Sequence, residues 1–145
     1  MSIRLVMACD HGGYQLKDEL KEQLAGDDVT IEDLGTNTGD SVDYPDFAHA
    51  LSAKVLAGEA DLGVLICGTG LGMSMAANRH PGIRAAVCTD PYMARMAREH
   101  NDANVLCLGA RVIGPSLALE IVGAFLGGRF GGDRHARRVG KIEPA

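Results

Sequence analysis

With 145 residues, 46% apolar and 23% charged, the chain reads as one domain able to bury roughly two-thirds of its unfolded surface. No apolar run nears the about 18 residues of a membrane span, and the start "MSIRLVMACDHGG" lacks the basic lead and cleavage site of a secretory signal, so a cytoplasmic protein is expected. The net charge of −5 divides into +4 over residues 128–141 and −9 over the rest, which argues against nucleic acid as a partner and suits a small anion.

In chain order, "IRLVMAC" (3–9) predicts a strand and "YQLKDELKEQLAG" (14–26) a surface helix, with Leu16, Leu20 and Leu24 in one stripe and Gly26 as its stop. "VTIEDLG" (29–35) alternates like a half-covered edge strand. The turn chemistry of 36–46 ends at Pro45, which opens a helix running to about Ala57. Residues 61–67, 84–88 and 104–109 are nearly unbroken apolar runs, as strands buried on both faces would be. Helices are expected at 71–79, 91–100 and 115–127, with the Met73/Met75 and Met93/Met96 pairs read as core. The glycines near 127–132 release the basic tail, about 128–145, as an arm or short helix.

Strands alternating with helices predict a three-layer α/β/α domain on a five-stranded parallel, Rossmann-like sheet, with order 2-1-3-4-5. Ligands of such sheets bind beyond the carboxyl ends of the strands. The residues there are Cys9-Asp10-His11-Gly12, Gly35-Thr36, Cys67 to Gly70, Thr89-Asp90 and Gly109-Ala110-Arg111. Helix 115–127 has Glu120 as its only charge, which predicts a second subunit covering the side the sheet leaves open.

The chemistry concentrates in "LICGTGLGMS". A dinucleotide fingerprint would need a glycine where Met73 stands, although Asp90 occupies the place of a ribose-binding acid. A tyrosine-phosphatase loop would need an arginine at that same position. A P-loop would need Gly-Lys-Ser/Thr. What remains is a thiol followed by amides that lead into a helix N-terminus, a base beside an anion hole. That pairing suits proton abstraction next to a carbonyl, with the amides stabilising the enediolate. The four cysteines, Cys9, Cys67, Cys88 and Cys107, show no CxxC spacing, so reduced thiols and no metal site are expected.

"ACDHGG", "DYPDFA", "ICGTGLGMSMAAN", "GIRAAVC", "EHNDANVLCLGAR" and "GDRHARRV" follow one another from residue 8 to residue 139. In these blocks the chain resembles the type B ribose-5-phosphate isomerases, a family shared with galactose-6-phosphate isomerase subunits. The resemblance implies interconversion of an aldose phosphate and a ketose phosphate without metal or cofactor, in a homodimer or a tetramer with sites between subunits. It implies Cys67 as the base, since members without this cysteine place a glutamate where this chain has Met73. It further implies Gly68, Thr69, Gly70, Leu71 and Gly72 as the anion hole, with Thr69 moving protons between the two oxygens. His100 would open the sugar ring and Asn101 would hold a hydroxyl.

Asp10 and His11 would line the sugar or phosphate, with Asp43 and Tyr44 nearby. Arg134 and Arg138, four apart on one helix face, would hold the phosphate together with Arg111. For Arg129, His135 and Arg137 a solvated role suits equally well, and His49 and His80 read as structural or exposed. Substrates of four or six carbons, a non-catalytic sugar-phosphate-binding subunit and a hydride-transfer enzyme stay open as alternatives.

Overall fold

In the computed structural model, which describes residues 2–144, the apolar runs form β1 (Ile3–Cys9), β2 (Val29–Asp33), β3 (Leu62–Cys67), β4 (Ala85–Val87) and β5 (Val105–Gly109). Between and after them lie α1 (Tyr14–Leu24), α2 (Tyr44–Leu56), α3 (Leu71–Ala77), α4 (Pro91–Glu99), α5 (Pro115–Gly127) and α6 (Arg134–Val139). Every strand pairing is parallel. One core joins the sheet to α1, α4 and α5 through Leu20, Ala94, Ile121 and Phe125. The other joins it to α2 and α3 through Ala48, Leu51, Met73 and Ala77. The chain is thus the expected three-layer α/β fold.

The strand order is β2-β1-β3-β5-β4, which corrects the expected 2-1-3-4-5. The cause lies in the two last strands. β4 is three half-buried residues, Ala-Ala-Val, with little side chain to fill a sheet centre, whereas all five residues of β5 are buried. The longer apolar strand takes the place beside β3 and leaves β4 at the edge. Cys67 consequently pairs with Gly109, and the loop after β5 bonds directly to the cysteine loop: the Ala110 amide donates to the Cys67 carbonyl at 2.9 Å, and that of Arg111 to Gly68 at 3.0 Å.

Two further expectations change. The sheet, α4 and α1 bury Ala118, Ile121, Val122 and Phe125 of α5 and leave Leu117, Leu119 and Leu126 half-buried, so neighbours within the chain account for much of the apolar circumference that was read as a second subunit's share. Met73 is fully buried, but Met75 is 67% exposed and Met93 42% exposed, so neither belongs to the core. Residues two apart on a helix point in different directions, and α3 can bury only one of its pair. The large exposed apolar side chains instead include Leu71 and Met75 on α3, Tyr92 and Met93 on α4, and Val112 after β5. All belong to segments at or leading away from the carboxyl rim of the sheet.

Candidate active site

β3 ends at Cys67, and the chain turns through Gly68-Thr69-Gly70 into α3. Gly70 has φ +84, and a Cβ there would lie 3.1 Å from the Leu108 carbonyl carbon, so only glycine fits this turn. The turn aims the Gly70 amide at the Cys67 sulfur, 3.1 Å away, and the Leu71 amide at Thr69 Oγ1, 3.2 Å away. Cys67 keeps a small exposure of 5%, where Cys9 and Cys107 have none, and Thr69 beside it is exposed. Burial pushes the Cys9 and Cys88 thiols up to about 11, and that of Cys107 higher still, so these three are held as neutral thiols.

The loop after β1 closes one side of this rim. Asp10 is buried, and its carboxylate accepts the Gly12 amide at 2.9 Å. His11 Nδ1 accepts the Val42 amide at 3.2 Å, which leaves Nε2 as the protonated nitrogen of the neutral ring. Arg111 reaches across from the loop after β5. A Cβ on Gly68 would sit 3.4 Å from one of its terminal nitrogens, and a Cβ on Gly12 3.6 Å from the other. The exposed guanidinium therefore spans the β1 and β3 loops at the rim. The Tyr44 ring covers α3 at Gly72, where a Cβ would come within 2.5 Å of it.

The remaining predicted residues gather elsewhere. His100 caps the C-terminus of α4 and stacks on His135 of α6, with ring centroids 4.3 Å apart and planes 11° apart. Both line a cleft of about 270 Å³ with Asn101, Arg138, Val139 and Ile142. Desolvation, then the charges of His100, Arg134 and Arg138, push His135 below the usual histidine range, with Asp133 opposing. Arg134 and Arg138 are exposed on the same short helix. The segment after His100 is clamped by Asp102, whose φ is +47 and whose carboxylate bridges Arg84 and Arg98 at 3.3 Å each.

These two groups occupy opposite ends of the sheet. The Asn104 carbonyl accepts the Gly63 amide at 2.9 Å, which moors the His100 loop beside the start of β3. Cys67 lies four residues further along that strand, about 13 Å at the usual strand rise. The structure thus brings Asp10, His11, Cys67, the glycine loop and Arg111 together, and separates from them His100, Asn101, Arg134 and Arg138. His49 and His80 pair with each other, ring nitrogens 2.7 Å apart.

The model of the family described as Ribose/Galactose Isomerase matches residues 5–142. The chain belongs to this family. It is an isomerase, similar to ribose-5-phosphate isomerase B of Escherichia coli at 47% identity, with 96% of this chain and 93% of that one covered. A solved ribose 5-phosphate isomerase of Thermotoga maritima superimposes with a TM-score of 0.97 at 50% identity, over the whole of both chains. For ribose-5-phosphate isomerase B of Clostridium thermocellum the TM-score is 0.94 at 56% identity, covering 97% and 95%.

Sequence reasoning missed two sets of residues around this isomerase's candidate site. Asp102 and its two arginines left no periodic signal, because they act through a left-handed loop residue. Lys17, fully buried, did leave one: it stands three before Leu20 and seven before Leu24, on the apolar stripe of α1.

Proposed function

We propose that this isomerase interconverts ribose 5-phosphate and ribulose 5-phosphate through an enediolate, in a site completed by a second copy of the chain. The observation that carries the reading is the Cys67 sulfur under a turn of amides, with the exposed Arg111 guanidinium alongside.

In this reading the Cys67 thiolate removes the proton from C2 of the open-chain aldose and returns it to C1. The electron pair left at C2 forms the C1–C2 double bond as the carbonyl π pair moves onto the C1 oxygen. The amides from Gly68 to Gly72, at the start of α3, stabilise that oxyanion, and Thr69 Oγ1 passes a proton between the two oxygens. Arg111, His11 and Asp10 hold the sugar phosphate from the same chain. Ring opening needs an acid, and the residue expected for it, His100, stands at the far end of the sheet. His100, Asn101, Arg134 and Arg138 would therefore come from the partner subunit. The exposed Leu71, Met75, Tyr92, Met93 and Val112 give that subunit an apolar surface to cover.

An initial-rate panel of four-, five- and six-carbon aldose phosphates tests the assignment. Ribose 5-phosphate is expected to react fastest, and EDTA to change nothing. A faster six- or four-carbon substrate would overturn the substrate. Binding without turnover on all of them would replace the enzyme with a sugar-phosphate-binding subunit.

A further inference from the structure

The ammonium of Lys17 has no solvent exposure, and all three of its protons are engaged: Nζ lies 2.6 Å from Asp33 Oδ1, 2.7 Å from the Thr36 carbonyl and 2.9 Å from Asn37 Oδ1. Burying such a group is costly unless every donor finds an acceptor, so the site is built as a unit. Pairing Asp33 does not account for it. Asp33 Oδ2 already accepts Lys21 at 2.8 Å, and Oδ1 also accepts the Gly35 amide at 2.8 Å. Lys17 shares the Thr36 carbonyl with the Cys9 thiol, which donates to it at a longer 3.3 Å, and of these groups only Lys17 reaches the Asn37 side chain.

Those two groups begin the loop that runs back over α1. The loop is tied to the end of β1 by bonds between Cys9 and both Gly35 and Thr36. At Gly39 it passes the Tyr14 ring, where a Cβ would lie 3.5 Å away. Three residues on, the Val42 amide donates to His11 Nδ1 at 3.2 Å. A hydrogen bond to one imidazole nitrogen fixes which nitrogen keeps the proton. The far end of the Lys17 loop thus decides what His11 presents at the rim.

We infer that Lys17 is a positioning residue for His11: by holding Thr36 and Asn37 it seats the loop whose Val42 amide keeps the His11 ring as an Nε2–H donor facing the sugar phosphate. The inference rests on the proposed reading for the presence of a ligand there, but not for the state of the ring.

Three variants test it: Lys17→Met, Asn37→Ala, and Lys21→Met as the variant that removes only an Asp33 partner. Nitrogen-15 spectra of the protein without substrate report the His11 tautomer, and steady-state rates on ribose 5-phosphate report KM and kcat. Lys17→Met and Asn37→Ala are expected to replace the single Nε2–H form with a mixture. They should raise KM about tenfold with kcat within about twofold, as loss of a binding contact does. Lys21→Met should change neither. Asn37 is exposed, so its variant carries the test where Lys17→Met does not fold. An unchanged tautomer in Asn37→Ala, or the same change in Lys21→Met, overturns the inference. A tautomer that shifts while KM holds supports the positioning role and removes His11 from the substrate site.

Discussion

Two variants, each dead alone, should restore each other. Cys67→Ala removes the proposed base and His100→Ala the ring-opening acid. In one chain these residues lie about 13 Å apart or more along β3, so no site built from a single chain can use both. In a two-fold dimer with shared sites, a mixed pair of the two variants keeps one site with both residues intact and loses both residues from the other. Random pairing makes about half of the dimers mixed, so an equimolar mixture refolded together should recover about a quarter of wild-type activity. The assay is ketose formation from ribose 5-phosphate, with each variant also refolded alone as its own blank. Recovery no greater than the sum of the two blanks would refute the shared arrangement.

Three further outcomes follow from single contacts. Cys67→Ser should lose about a hundredfold or more in kcat with little change in KM, because a general base acts in the transition state; rates near wild type would move the base elsewhere. Ser52 on α2 is fully buried with no partner for its hydroxyl among the described residues, so Ser52→Ala should raise stability to urea by about 1 kcal/mol, and a lower midpoint would show that the hydroxyl is satisfied. Burial would raise the Asp33 carboxyl, but the bonds from Lys17, Lys21 and the Gly35 amide outweigh it and hold it below the ordinary 3.8. A carboxylate lowered on folding stabilises fully above its unfolded value and progressively less as pH falls through the folded one. Urea midpoints should therefore fall below about pH 4, and Asp33→Asn should flatten that slope; an unchanged slope would refute this.

Much of the fold was legible because buried parallel strands write themselves as unbroken apolar runs. The runs ending at Cys67 and Gly109 show this, and the turn at Pro45 and the stripe of α1 were equally plain. Strand order was not, since periodicity states that a strand is buried but not beside which neighbour. The length contrast between "AAV" and "VLCLG" was the available clue. Helix α5 was ambiguous for a related reason: its apolar circumference says that it is covered, and neighbouring helices cover much of it as a partner would. Lys17 was hidden by its type, because a lysine beside a leucine stripe is ordinarily a solvated flank.

The displacement of β4 to the edge does more than reorder the sheet. Were β4 beside β3, the loop flanking Cys67 would be Thr89-Asp90, and the Asp90 carboxylate is occupied in capping α4 through the Met93 amide at 2.8 Å. An acid there would repel both a thiolate and a phosphate. With β5 in that place, the neighbour is Gly109-Ala110-Arg111, whose glycine lets the Thr69 backbone approach to within 2.7 Å of where a Cβ would stand. The same neighbour supplies a guanidinium to the rim. The apolar residues that draw β5 into the core thus also set the sign of the charge beside the cysteine, so packing and electrostatics at this site have a single origin.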